Sequence, residues 1–213
     1  MANVLLFHSE LGLTPGTEAF ADLLRDAGHA VTAPDLYDGQ TFSTLEAGLE
    51  YAGEVGLETL EALGVRIAEQ LPEDLVYIGF SLGVLPAQRL AQTRPGARGA
   101  VLISACVPPG AYAYTWPAGV PLQIHAMAED QVFVEEGDLD AAKNLIESIA
   151  VEPGGGWGGG RTLDEASVKL ILYPGSAHFF ADISSPDYDE DYAHALTASV
   201  LQLLRGIDDG IED

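Results

Sequence analysis

Short apolar runs alternate along this chain with longer stretches in which apolar residues recur every three or four positions. Six runs predict strands: residues 4–7, 29–33, 75–78, 100–104, 121–125 and 168–173. Most are apolar throughout rather than alternating, as strands covered on both faces require. The stretches between them predict helices. Thr17 is placed to cap one whose stripe is Phe20, Leu23, Leu24 and Ala27, with Gly28 just past its end. Leu57, Leu60, Ile67 and Leu71 mark a second helix. Leu85 and Leu90, with several alanines, mark a third that stops at Arg94-Pro95-Gly96, and Tyr192, Leu196, Val200 and Leu203 mark a terminal one. Strands alternating with helices predict an α/β fold, a mostly parallel sheet flanked by helices, with any ligand at the carboxyl ends of the strands.

The third run leads directly into Gly79-Phe80-Ser81-Leu82-Gly83. A GxSxG pattern between a strand and a helix reads as a nucleophile elbow, where the serine takes a strained backbone and the glycines let strand and helix approach closely. Pro86 falls in the first turn of the helix that follows, whose amides lack intrahelical acceptors, so it does not break the reading. A serine hydroxyl needs a base to take its proton and a third group to orient that base. In a parallel α/β sheet with this elbow, the acid and then the histidine come from loops after later strands. Two such loops exist: Met127-Ala128-Glu129-Asp130-Gln131 and Pro174-Gly175-Ser176-Ala177-His178-Phe179. His178 is the base this order selects. His8 follows the first strand, where it can shape a loop, His29 and His125 border strands, and His194 lies on the terminal helix, all structural positions. Asp130 and its neighbour Glu129 both remain open as the acid. Two amides must also meet the oxyanion, one from Leu82 at the start of the helix and one from the loop Ser9 to Gly12.

Composition narrows the partners. The 213 residues, 47% hydrophobic, suit one domain spanning 1–213. Acidic residues outnumber basic ones 33 to 9, a net charge of −24, so neither nucleic acid nor an anionic membrane is an expected partner. The acidic surface suits solubility and also fits a saline cytoplasm. A single cysteine, Cys106, allows no internal disulfide and reads as a buried packing residue; with no signal peptide before Val4, the expectation is a cytoplasmic protein. The glycine-rich segment 153–160 lacks the Gly-Lys-Ser/Thr of a phosphate loop and reads as a surface linker. No metal or organic cofactor is required by the candidate chemistry.

Taken together, several segments carry a resemblance: Val4-Leu5-Leu6-Phe7-His8-Ser9-Glu10-Leu11-Gly12, Ala33-Pro34-Asp35-Leu36-Tyr37, Gly79-Phe80-Ser81-Leu82-Gly83, Asp130-Gln131-Val132 and Tyr173-Pro174-Gly175-Ser176-Ala177-His178-Phe179-Phe180. The chain resembles the dienelactone hydrolase family of α/β-hydrolases over nearly its whole length. The resemblance implies a small α/β-hydrolase fold without a separate cap domain. It implies Ser81, Asp130 and His178 as nucleophile, acid and base, with the Leu11 and Leu82 amides at the oxyanion. It also places Glu10 where the family has a glutamate in contact with the nucleophile. Two positions depart from the family. Its namesakes carry a cysteine in the elbow, where this chain has Ser81, and an arginine for a substrate carboxylate four residues after the histidine, where this chain has Asp182. Asp182 is therefore a candidate substrate contact of the opposite sign. The expectation is a hydrolase, monomeric or dimeric, cleaving a small neutral ester or lactone through an acyl-enzyme on Ser81. An idle scaffold binding a small ligand or partner, or an acyltransferase, are the alternatives.

Overall fold

The computed structural model describes residues 1–150 and 168–209; segment 153–160 lies outside them. Six strands form one sheet: β1 (Asn3–Phe7), β2 (Ala30–Thr32), β3 (Leu75–Phe80), β4 (Gly99–Ile103), β5 (Leu122–Met127) and β6 (Val168–Tyr173). Their order is β2-β1-β3-β4-β5-β6, and every pairing is parallel. Seven α-helices are interspersed among the described residues: α1 (Pro15–Asp26), α2 (Leu45–Val55), α3 (Leu57–Ala68), α4 (Val84–Thr93), α5 (Gln131–Glu135), α6 (Asp138–Ala150) and α7 (Glu190–Asp209). None is long and apolar enough to cross a membrane.

The apolar strand runs follow from the two cores they separate. Successive strand side chains point to opposite faces. Leu5, Phe7, Leu75, Tyr77, Leu102 and Ile124 accordingly pack with Leu60, Leu90 and Leu145 of α3, α4 and α6. Val4, Leu6, Val76, Ile78, Val101 and Ile103 face Phe20, Leu24, Leu196 and Val200 of α1 and α7. Both faces are largely dry, so the strands between them are mostly apolar, with Gln123 and His125 of β5 as buried polar exceptions. The order turns back between β1 and β3, the switch point where a parallel sheet leaves a crevice at its carboxyl edge. The loop after β1 and the elbow after β3 both open there.

Local details differ from the sequence reading in ways that packing explains. The cap of α1 is Thr14, not Thr17: its backbone is extended, its hydroxyl accepts from the Thr17 amide, and Pro15 occupies the first turn. Thr17 is buried inside that turn, and Leu23 is exposed rather than part of the stripe. Gly28 does follow the helix in the left-handed region, at φ 94°. The second predicted helix is α3 alone, ending before Leu71, and Gly56 (φ 92°) separates it from α2. The pattern hides α2 because its buried face contains Gly48, where a Cβ would lie 2.3 Å from the Glu10 carbonyl oxygen. Finally, β4 stops one residue short of Ser104, and β5 runs past His125 to Met127.

Candidate active site

Ser81 leaves β3 with φ 46°, in the left-handed region that side chains disfavour, and opens a 3-10 turn through Gly83 into α4. The flanking glycines make that turn possible. A Cβ on Gly79 would sit 2.4 Å from the Gly83 carbonyl oxygen, and one on Gly83 would sit 2.4 Å from that of Phe7 and 2.6 Å from that of His8. Any other residue would push the helix off β1. The strain at Ser81 is thus held by close backbone packing on both sides.

His178 stands on the turn after β6, and its Nε2 lies 2.7 Å from Ser81 Oγ. Its Nδ1 donates to Asp130 Oδ2 at 2.7 Å. The other oxygen of Asp130 accepts from the Val132 and Phe133 amides as the cap of α5. One carboxylate therefore caps a helix and orients an imidazole, and Asp130 is 1% exposed. Glu129, by contrast, is exposed, and of the two neighbouring acids it is Asp130 that contacts His178. Burial lowers the pKa of His178, but the hydrogen bond and charge of Asp130, with the charges of Glu10 and Asp138, outweigh it and hold the imidazole above its ordinary value.

Glu10, 6% exposed, closes the other side of the nucleophile. Its Oε1 lies 2.8 Å from Ser81 Oγ and accepts the Leu82 amide at 3.1 Å. The single Ser81 proton thus has two acceptors, His178 and Glu10. Burial raises the pKa of Glu10, opposed by the His178 charge and by its hydrogen bonds to Ser81 and Leu82. Its second oxygen has no hydrogen-bond partner, nor has the buried hydroxyl of Tyr37, whose own pKa is raised by burial and then by the Glu10 charge. Leu11, the other expected oxyanion donor, gives its amide to Ser9 Oγ at 3.2 Å. Both amides are therefore engaged by side chains of the protein itself.

The remaining candidates sort by geometry. His8 bridges the loops after β1 and β2, with Nδ1 2.7 Å from the Ser9 carbonyl and Nε2 accepting the Leu36 amide at 3.0 Å; burial lowers its pKa. It shapes the loop and does not touch Ser81. His125 is enclosed between Tyr173 and Gln123 and is pushed down to about 3 by burial and by Lys169. Burial, with the charge of Asp138, pushes the Cys106 thiol up to about 12, so it is inert as a nucleophile. Asp182 does line the cleft, but both its oxygens are taken: Oδ2 accepts from Thr14 Oγ1 at 2.6 Å and Oδ1 from the Ser184 amide at 2.9 Å. It staples the His178 loop to the start of α1, against Gly16, and is not a free charge awaiting a ligand.

A cleft opens over Ser81. Its walls are Phe80, Ile103, Phe179 and Ala181, with Ser9, Thr17, Ser104 and Asp182 as polar points and, among the described residues, no lysine or arginine. Ser104 escaped the sequence reading, which named Ser9 only as the start of the oxyanion loop: Ser104 stands in no motif of its own, and only the fold brings it to the nucleophile. No group of three or more His, Cys, Asp or Glu among the described residues is arranged to hold a metal ion.

The sheet order, the elbow after β3 and the acid and histidine after β5 and β6 define an α/β-hydrolase fold. Solved structures of that fold match nearly the whole chain. A dienelactone hydrolase-like promiscuous phosphotriesterase from metagenomic libraries superposes with a TM-score of 0.68 at 17% identity, covering 97% of this chain and 87% of that one. The dienelactone hydrolase from Anabaena variabilis gives 0.59 at 18% identity, over 97% and 86%. The thioesterase domain from the curacin biosynthetic pathway gives 0.57 at 15% identity, over 94% and 90%. No protein-family model and no curated protein matches the chain.

Proposed function

We propose that this chain is a serine hydrolase of the dienelactone hydrolase type that cleaves a small, neutral carboxylic ester or lactone. The observation that carries this reading is the unbroken relay from Ser81 Oγ to His178 to Asp130, 2.7 Å and 2.7 Å, beneath a strained elbow. The Ser81 oxygen attacks the substrate carbonyl carbon as His178 Nε2 takes its proton, and Asp130 steadies the imidazolium. The carbonyl oxygen becomes an oxyanion between the Leu82 and Leu11 amides, displacing Glu10 Oε1 from the first and Ser9 Oγ from the second. The bond to the alkoxide then breaks, His178 returns the proton to it, and an acyl-enzyme remains. Water repeats the sequence and releases the acid. In a lactone the alcohol stays tethered to the acyl group and leaves with it.

Neutrality of the substrate follows from the walls. A carboxylate in this cleft would meet no lysine or arginine among the described residues, lie near Glu10 and Asp182, and approach through the field of a chain of net charge −24. A neutral aryl acetate should therefore show a higher kcat/KM than an ester of matched size with a carboxylate on its acyl chain, and salt should narrow the gap. Better turnover of the carboxylated ester at low salt would return anionic lactones to first place.

The primary test is a fluorophosphonate probe on wild type and Ser81→Ala, followed by a panel of aryl esters, lactones, thioesters and phosphotriesters. Labelling of wild type alone, with ester or lactone turnover leading the panel, is the expected result. The absence of both labelling and turnover would leave the chain an idle scaffold of this fold, and turnover that survives Ser81→Ala would place the reaction on a group other than Ser81.

A further inference from the structure

We propose that Ser104 is a positioning residue for His178: its hydroxyl clamps the backbone of the histidine to the end of β4 and so fixes the imidazole over the nucleophile. This rests on the serine-hydrolase reading above. Phe80 pairs with Ile103 across β3 and β4, so Ser81 and Ser104 are the next residues at two adjacent strand ends. Both leave the sheet in the left-handed region, Ser81 at φ 46° and Ser104 at φ 59°. For Ser81 the elbow glycines account for the turn. Ser104 has no such neighbours, and it holds a conformation that a glycine there would adopt without strain.

The strained backbone delivers the hydroxyl to one place. Ser104 Oγ donates to the His178 carbonyl oxygen at 2.8 Å, while its amide extends the β4–β5 ladder by donating to the His125 carbonyl at 2.8 Å. The clamp is thus anchored in the sheet and, at 2% exposure, sealed from competing water. Three consecutive strand ends then serve one reaction: β3 supplies Ser81, β4 holds the His178 backbone and β5 supplies Asp130 to its ring. The side-chain bond to Asp130 sets the ring's rotation but not the height of the loop that carries it. With the Ser104 hydroxyl gone, the His178 backbone loses its tie to β4 and can shift relative to Ser81, and displacements of about 1 Å cost about 10²-fold in rate.

The test compares wild type, Ser81→Ala, Ser104→Ala and Ser104→Gly on a neutral aryl ester and in fluorophosphonate labelling kinetics. Ser104→Gly removes the hydroxyl together with the backbone strain, so it stays folded even if Ser104→Ala does not. Both variants should lose roughly 10- to 100-fold in kcat and labelling rate with KM changed less than about twofold. The acid limb of kcat/KM should also move to lower pH as the Asp130 contact that raises His178 loosens. A folded Ser104→Gly protein with wild-type kcat and an unmoved pH profile overturns the proposal. So does a loss confined to KM, which would make Ser104 a substrate contact. Wild type that resists labelling removes the serine-hydrolase reading and this clamp with it; Ser81-dependent labelling sustains that reading whatever the Ser104 variants do.

Discussion

The nucleophile and its base are held in two different ways. Around Ser81 the shape is made by residues within the same turn, with Gly79 and Gly83 allowing α4 to pack against β1 and β3 at distances no side chain would permit. The His178 loop has no comparable internal support. It is pinned by Asp130, 48 residues away, by Ser104, 74 residues away, and at Asp182 by Thr14, 168 residues away. Strain in the first case is confined by steric exclusion at backbone contacts that only glycine allows. Order in the second is assembled from hydrogen bonds that exist only after the sheet has formed. The nucleophile should therefore survive changes elsewhere, whereas the base should respond to residues scattered along the chain.

The largest expected effect is at the elbow. Ser81→Ala deletes one oxygen and no packing, so turnover of an aryl ester should fall to background while the melting temperature holds; retained turnover would mean the elbow is not the reacting centre. Asp130→Asn comes next. It should cost about 10⁴-fold in kcat by favouring the wrong imidazole tautomer. If Glu129→Gln proves more damaging, the long-range half of the comparison has been attached to the wrong carboxylate.

Gly83→Ala separates the two modes of support by stability. Its new Cβ would meet the Phe7 and His8 carbonyls at 2.4 and 2.6 Å, so strand and helix must part and global unfolding should become easier by about 3 kcal/mol or more. Urea titration measures this, and an unchanged midpoint would show that the elbow is not held sterically. Asp182→Ala leaves the Thr14 hydroxyl and the Ser184 amide without their acceptor, for about 2 kcal/mol in the same titration. Loss of activity without loss of stability at Asp182 would instead make it a ligand contact.

The smallest effect sharpens the electrostatics of the base. His178 must be neutral to accept the Ser81 proton, and its pKa is raised, so kcat/KM should fall as pH drops through a value above the ordinary histidine range. Glu10 is one of the charges responsible. Glu10→Gln removes that charge and should shift the acid limb to lower pH, which a pH profile against wild type would detect. A limb that stays in place would assign the shift to Asp130 and Asp138 alone.

Much of this architecture was legible in the order of residues. The central strands β1, β3 and β4 are buried on both faces and so are apolar almost throughout, and short runs also mark β2, β5 and β6, so that the six described strands are found within a residue or two at their ends. GxSxG after a strand marks the elbow because only glycine tolerates those approaches. The true cap of α1 was also written locally, in Thr14-Pro15, although the sequence reading placed the cap at Thr17. Other features had no local trace. Glu129 and Asp130 are chemically near-equivalent neighbours, and what distinguishes them is which one caps α5 with its second oxygen facing His178. Glu10 on the Leu82 amide, Asp182 turned toward Thr14, and Ser104 beneath the His178 carbonyl likewise depend on strand ends brought together by the sheet. Periodicity and backbone sterics act between near neighbours and so can be read along the chain. The direction of a side chain toward a partner a hundred residues away is set only by packing, and packing belongs to the tertiary structure.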